Sequence, residues 1–198
     1  MPQTKRTRRK PAARKSRPAR PDLKALEALF IERGFPDFRW LDPGEVVVAE
    51  WVRMKCRFGC REYGRNAACP PHAPSVEECA RFFREYGRMA VFHFAKTVDR
   101  PEDRHAWTRK LNLELLKLEQ ELFLAGFVKA FLLFFDSCGI CLECAAGRTA
   151  CKEPKLARPT PEGLGVDVFT TVRKVGYPID VLPDYDREMN RYAFLLVE

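Results

Sequence analysis

The residues most able to do chemistry in this sequence are its cysteines, and four of the eight lie within residues 137–151. This C-terminal cysteine group consists of Cys138, Cys141, Cys144 and Cys151, with gaps of two, two and six residues. A C-x2-C-x2-C run can wrap a compact cubane, because three closely spaced thiolates bind three irons while backbone N–H groups turn towards the sulfides. We therefore expect these four thiols to hold a 4Fe–4S cluster.

Zinc and disulfide chemistry are the alternatives for the C-terminal cysteine group. A tetrahedral zinc site typically uses C-x2-C pairs on separate hairpins, so a third closely spaced cysteine would be superfluous. Disulfides are rare in a reducing cytosol, although a redox dithiol stays open. The spacing also departs from the bacterial ferredoxin run, since its last gap is six residues and Pro154 does not directly follow Cys151.

A second set of thiols, the N-terminal cysteine group, consists of Cys56, Cys60 and Cys69, with gaps of three and eight residues. Pro70 follows the last of them, and a proline suits this place because it has no N–H and turns the chain away from the site. The fourth ligand is open, as is an exchange of cysteines between the two groups. His72 is one candidate, and we expect it to be an exposed loop residue. Cys79 lies on the apolar face of a predicted helix, where we expect a buried, inert thiol.

Three stretches carry a resemblance to a known family: "CRFGCREYGRNAACPPHAPS", "CGICLECAAGRTACKEP" and "EGLGVDV". Together they resemble a family of uncharacterised bacterial and archaeal proteins described as predicted metal-binding proteins. The resemblance covers most of residues 45–198. The family pattern carries over onto Cys56, Cys60, Tyr63, Gly64, Asn66, Cys69, Pro70, Pro71, Cys138, Cys141, Cys144, Cys151 and Gly165, Val166, Asp167 and Val168. The resemblance implies a bound metal and no particular reaction.

The elements that must position these thiols are predicted to alternate between strands and helices. Strands are predicted at 45–52, 88–95, 127–135 and 192–198, and helices at 22–34, 75–86, 101–125 and 160–174. This order predicts an α/β fold with a mostly parallel four-stranded central sheet flanked by helices. An α+β ferredoxin-like arrangement is the alternative. In a parallel sheet, the strands at 45–52 and 127–135 would bring both cysteine-rich loops to one sheet edge.

Charge divides the chain into a tail, residues 1–20, and a single metal-binding domain, residues 21–198. The tail contains nine Lys or Arg and no acid, which leaves 26 basic and 27 acidic residues elsewhere and a net charge of −1 there. Such a composition predicts a disordered, solvated tail, and any contact with nucleic acid would be made through this tail only. No apolar run approaches the roughly 18 residues that a membrane span needs. With no secretory signal either, we expect a cytoplasmic protein without membrane contact.

These features predict a protein with one or two 4Fe–4S clusters that transfers electrons or reductively activates a partner protein. The alternative is a zinc-stabilised binding module whose tail contacts nucleic acid. An enzyme that uses the cluster as an electron source or Lewis acid is a third class, for which the sequence names no catalytic residue. Four arginines near the cysteines would offset the negative charge of the clusters or attract an acidic partner: Arg57, Arg61, Arg65 and Arg148. Asp167 is expected on a helix surface or in the wall of a nearby pocket.

Overall fold

The computed structural model describes residues 21–100, 102–184 and 187–198, so the predicted tail lies outside the described residues. The helices are α1 (Leu23–Glu32), α2 (Glu50–Gly59), α3 (Val76–Phe83), α4 (Asp103–Leu124) and α5 (Val168–Lys174). The strands are β1 (Phe38–Leu41), β2 (Met89–Lys96), β3 (Phe131–Leu133) and β4 (Met189–Leu196). Short 3-10 helices lie at Pro43–Glu45 and Glu162–Leu164.

The four strands form one sheet in the order β1-β2-β4-β3, and every neighbouring pair is antiparallel. The prediction of a mostly parallel sheet is therefore wrong. The last strand causes the difference, because β4 inserts between β2 and β3 and runs opposite to both. Met89 of β2 and Phe131 of β3 both pair with Leu196 of β4. As a result β2 and β3 point the same way but share no hydrogen bonds, as in a split β-α-β unit.

The predicted strand at 45–52 is also wrong. Glu45 ends a 3-10 helix, and the run makes only an isolated antiparallel bridge, from Val48 to Val166, before α2 begins at Glu50. A short apolar run fits a strand and a buried helix turn equally well, so periodicity alone could not separate them. The first strand of the sheet is instead β1, which pairs with β2. The sequence analysis did not predict this strand.

The starts of α1 and α3 follow local sequence signals. Asp22 caps α1 by accepting a hydrogen bond from the N–H of Ala25 at 2.8 Å. Ser75 and Glu78 form a capping box at the start of α3, with distances of 3.1 Å and 2.8 Å in the two directions. These short polar side chains satisfy N–H groups that the first helical turn leaves without partners.

The sheet is buried on both faces, and alternate residues of each strand enter two different cores. On one face Ala90 and Phe92 of β2 pack with residues of α1 and α4, among them Leu118. On the other face Met89 and Val91 pack with residues of α3 and α5. The result is a three-layer arrangement in which the cysteine loops connect the layers. None of the described helices is both long enough and apolar enough to cross a membrane.

Candidate metal centre

Helix α2 and the loop after it position the N-terminal cysteine group. Cys56 lies in the last turn of α2, and Cys60 is the residue that caps its C-terminal end. Cys69 follows in a loop of tight turns, in which its own N–H donates to the carbonyl of Asn66 at 3.1 Å. The side chain of Asn66 also accepts from the N–H of Ala68 at 3.0 Å, so one residue organises the turn that presents Cys69.

The C-terminal cysteine group lies on the loop that follows β3. Arg109 of α4 holds this loop, because its Nε donates to the carbonyl of Ile140 at 3.1 Å. Cys138 is buried at the base of the loop, and Gly139 turns the chain with a φ of +56°, which favours glycine. Cys141 and Cys151 are half-buried, and Cys144 is exposed. This one loop therefore carries four thiols that differ in their exposure to solvent.

The two cysteine groups adjoin each other. The thiol of Cys69 is close enough to those of Cys56, Cys60 and Cys138 for their charges to interact. Cys138 interacts in the same way with Cys144 and Cys151 of its own group. The N–H of Ala67 donates to Sγ of Cys144 at 3.3 Å, which links the two loops directly. The loops therefore meet without the parallel strands on which the sequence argument relied.

Burial controls the acidity of the thiols in this region. It raises the pKa of Cys69 to about 12, with further contributions from the neighbouring thiols. Burial is also the main reason why the pKa values of Cys56 and Cys138 are raised. These thiols are protonated at neutral pH in the free protein. Because metals bind the thiolate, metal binding must release the thiol protons. The free energy of metal binding must offset the cost of removing those protons.

Two large cavities open on the thiols, one for each group. A cavity of about 730 Å³ is lined by Cys56 and Cys60 together with Glu162. A cavity of about 740 Å³ is lined by all four thiols of the C-terminal group. Asp136 lines both cavities and so forms part of the wall between them. It accepts from the hydroxyl of Thr108 at 3.0 Å and pairs with Nε of Arg191 at 3.2 Å, which holds this carboxylate in place.

The alternative ligands from the sequence lie elsewhere. His72 and Cys79 line a separate cavity of about 500 Å³, which none of the seven other cysteines lines. Cys79 is 2% exposed and packs in the core between the sheet and α3. Asp167, in contrast, lines the cavity of Cys56 and Cys60, where it is buried and caps α5 by accepting from the N–H of Thr170 at 3.1 Å. The helix predicted at 160–174 therefore begins later than expected, at Val168, with Asp167 as its N-terminal cap.

The arginines near the thiols are exposed to solvent. Arg57, Arg61 and Arg65 extend from α2 and the loop beyond it. Arg148 lies in the C-terminal loop and donates to the carbonyl of Pro154 at 3.2 Å. Positive charge therefore borders both cysteine groups, and it would favour binding of anionic, thiolate-ligated metal centres.

The donor set suits a thiolate-bound centre. All eight cysteines are free of disulfides. Thiolates are the soft ligands that select zinc and iron–sulfur clusters over oxygen-seeking cations. Across the described part of the chain, no three His, Cys, Asp or Glu side chains converge closely enough to hold a single metal ion.

Sequence reasoning missed Glu162 and Asp136. Asp136 lies only two residues before Cys138, but a lone acid there has no motif spacing of its own, and Glu162 comes near Cys56 only through folding. Glu162 lies in the quoted stretch "EGLGVDV", which was the one signal available. Glu162 is exposed to solvent and lines the cavity of Cys56 and Cys60.

These features define a cysteine-rich candidate metal protein built on an antiparallel sheet. Comparison with known protein families identifies the family to which the chain belongs. The sequence model of the family described as predicted metal-binding protein (DUF2284) matches residues 39–197, and the chain belongs to that family. The resemblance noted from the sequence is thereby confirmed. No curated protein and no solved structure matches the chain.

Proposed function

We propose that this protein binds one or two 4Fe–4S clusters through its seven clustered cysteines and transfers electrons to a partner protein, or activates that partner by reduction. The observation that carries the proposal is the contact between the two groups. The loop that carries Cys69 contacts the C-terminal cysteine group directly, because the N–H of Ala67 donates to Sγ of Cys144 at 3.3 Å. A single structural zinc needs four ligands, whereas two neighbouring thiol groups suit a pair of redox centres.

The chain's own residues would tune such centres in two ways. The N–H of Ala67 points at Sγ of Cys144, and hydrogen bonds to ligating sulfur favour the reduced, more negative state of a cluster. The exposed Cys60 and Cys144 would bring the clusters to the surface. When bound, a cluster would supply one-electron redox chemistry, and the exposed edge gives that electron a short path to a partner.

Helix α2 supports an interaction with an acidic partner. Its outward face presents three apolar side chains at spacings of three and four, namely Trp51, Met54 and Phe58, which are 47%, 48% and 79% exposed. Lys55 lies 5.0 Å above the ring of Trp51, and Arg57 lies 5.5 Å from that of Phe58. An apolar stripe bordered by positive charge fits an acidic protein with an apolar contact patch. The helix ends at Cys60, so docking here would bring the partner to the N-terminal group.

The experiment is a reductive titration of the full-length protein, prepared without oxygen. Dithionite is added stepwise while absorbance and electron paramagnetic resonance follow the reduced centres. We expect reversible uptake of one electron per cluster, followed by transfer of those electrons to an oxidised acidic ferredoxin used as surrogate partner. A protein that holds iron and sulfide but is not reversibly reduced would contradict the proposed role.

A further inference from the structure

The cavity that Cys56 and Cys60 line has the size and the walls of a small-molecule site. Its volume of about 730 Å³ is typical of pockets that bind small ligands. Phe135 in its wall is 2% exposed and Trp51 is 47% exposed, so the cavity extends from the interior to the surface. Flat apolar walls fit an aromatic ligand, and four aromatic side chains supply them here: Trp51, Phe135, Phe169 and Tyr192.

Arg191, near the start of β4, brings hydrogen-bond donors to this cavity that the protein leaves largely unused. Its Nε is buried and makes no hydrogen bond within the described residues, although an oxygen of Asp136 lies 3.2 Å away. Its Nη2 donates to the sulfur of Met189, a weak acceptor, at 3.7 Å. Buried donors are almost always paired in proteins, so this guanidinium group is incompletely satisfied.

Positive charge is in excess around Asp136, the acid with which Arg191 pairs. One carboxylate oxygen of Asp136 lies 3.2 Å from Nε of Arg191, and the other lies 4.0 Å from Nε of Arg104. Thr108 donates to the second oxygen as well, at 3.0 Å. Two guanidinium groups therefore share one carboxylate, and this arrangement favours a further anion at the cavity wall.

The other acids of the cavity are engaged or exposed to solvent. Asp167 accepts from the N–H and the hydroxyl of Thr170, at 3.1 Å and 2.5 Å, as the cap of α5. Asp180 pairs with Arg173 at 3.7 Å, and its side chain is 86% exposed. Glu162 is exposed too, and ions in the solvent screen charges at such positions. These acids therefore do little to oppose an anion at Arg191.

Asn190, the neighbour of Arg191 in β4, also lines the cavity. Its Oδ1 lies 2.7 Å from Nε2 of His93, whose other ring nitrogen lies 2.6 Å from a carboxylate oxygen of Asp37. With its oxygen turned towards the histidine, the amide of Asn190 has its NH2 group left for a ligand. Both polar side chains near the start of β4 thus offer donors to the cavity.

We propose that this cavity binds a small aromatic carboxylate, with its carboxylate at Arg191 and its ring between the aromatic walls. The planar guanidinium group of arginine matches a carboxylate and can donate two parallel hydrogen bonds to it. The ligand supplies the acceptors that Arg191 lacks, and its ring covers the apolar surface of the cavity. Binding at this site requires no metal, so its test does not depend on the proposed function.

The test compares three probes that share one aromatic body: hydrocinnamate, hydrocinnamide and phenylpropylamine, which carry a carboxylate, a neutral amide and an ammonium group. Isothermal titration calorimetry measures their binding to the full-length protein, to Arg191→Met and to Arg33→Met. Arg33 is the matched control, because it also pairs with a carboxylate, that of Glu121 at 2.8 Å, but does not line this cavity. Circular dichroism establishes that each variant is folded.

We expect the unmodified protein to bind hydrocinnamate about tenfold more tightly than the amide, and the amine most weakly, because Arg191 attracts a carboxylate and repels an ammonium group. This order tests the inference without any variant. Arg191→Met should lower the affinity for hydrocinnamate by about tenfold and change that for the amide by less than about twofold, since it removes a charged partner. Arg33→Met should bind all three probes as the unmodified protein does.

Three results would overturn the inference. The first is that the unmodified protein binds none of the probes. The second is that it binds the amine or the amide as tightly as hydrocinnamate. The third is that Arg191→Met and Arg33→Met, both folded, bind hydrocinnamate equally well.

Discussion

At the scale of single residues, the eight cysteines fall into two environments. Cys144 is exposed on its loop and accepts a hydrogen bond from the N–H of Ala67. Cys79 is buried among apolar side chains, and its thiol has the carbonyl of Pro74 as neighbour at 3.8 Å. The same side chain is thus placed for ligation in one case and for packing in the other.

This contrast predicts opposite results for two alanine substitutions. Cys144→Ala should lower the iron and sulfide content, because the C-terminal group loses a ligand. Cys79→Ala should leave both unchanged and cost about 1 kcal/mol in the free energy of unfolding, since it removes one buried sulfur atom. Iron and sulfide assays on anaerobically purified variants, with urea unfolding, make the comparison. An equal loss of iron in both variants would contradict the ligand assignment.

A buried ion pair anchors the segment that follows the C-terminal cysteine group. Arg158 donates to both carboxylate oxygens of Glu119 on α4, with the shortest distance at 2.6 Å. Glu119 also accepts from the N–H of Leu132 in β3 at 2.8 Å. One buried carboxylate therefore ties α4, β3 and the cysteine loop together.

Breaking this pair should be costly. Arg158→Met leaves the buried charge of Glu119 without its main partner, and we expect the free energy of unfolding to fall by about 3 kcal/mol. The control is Lys117→Met, which removes the exposed pair between Lys117 and Glu114 and should cost less than about 0.5 kcal/mol. Urea unfolding of metal-free samples measures both, and similar losses would show that the Arg158 pair is not an anchor.

The grouping of the thiols could be predicted from the sequence because their spacing is local. The position of Glu162 beside Cys56 could not be predicted. Cys138, Cys141 and Cys144 lie within one loop, so their separation along the chain limits their separation in space. Glu162 is far from Cys56 along the chain, and only the packing of its 3-10 helix on α2 brings the two together. No local pattern encodes such a contact.

At the scale of elements, α2 is an amphipathic helix whose apolar outer face has no partner among the described residues. Val52 is buried and Cys56 half-buried on its inner face, while Trp51 and Phe58 are exposed on the opposite side. Contiguous exposed apolar surface of this kind marks interaction sites in soluble proteins. The basic side chains beside it determine which partners it can attract.

Charge reversal on α2 should slow electron exchange with an acidic carrier. Lys55→Glu combined with Arg57→Glu should lower the second-order rate of electron transfer to oxidised acidic ferredoxin by about tenfold at low salt, because steering depends on charge. The difference should disappear as salt screens the charges. Stopped-flow absorbance measures the rate. Lys24→Glu combined with Lys110→Glu is the control, and an equal effect from it would place docking elsewhere.

The starts of α1 and α3 could be predicted from the sequence because a cap is a local interaction, as Ser75 with Glu78 demonstrates. The run at 45–52 could not be assigned, since its apolar residues fit both periods and the decision depends on packing. Strand β1 escaped prediction because Phe38–Leu41 is only four residues long, too short for a clear alternation.

At the scale of the whole molecule, the order of the strands in the sheet could not be predicted from the sequence. Residues 134–188 connect β3 to β4, and a connection of this length permits either direction for the last strand. Leu195 and Leu196 are completely buried, each facing a different core, so burial drives β4 into the centre of the sheet. The two cysteine loops meet because neighbouring elements hold them. Arg109 of α4 donates to the carbonyl of Ile140 in the C-terminal loop, and Arg53 of α2 donates to the carbonyl of Gly163, which follows that loop.

The central claim is that the adjoining thiols bind iron–sulfur clusters, and the metal content of the intact protein tests it most directly. The full-length chain is purified without oxygen and analysed for iron, zinc and acid-labile sulfide, with electron paramagnetic resonance after reduction. The account predicts iron and sulfide in equal amounts, in whole multiples of four per chain. Stoichiometric zinc with neither iron nor sulfide would contradict it.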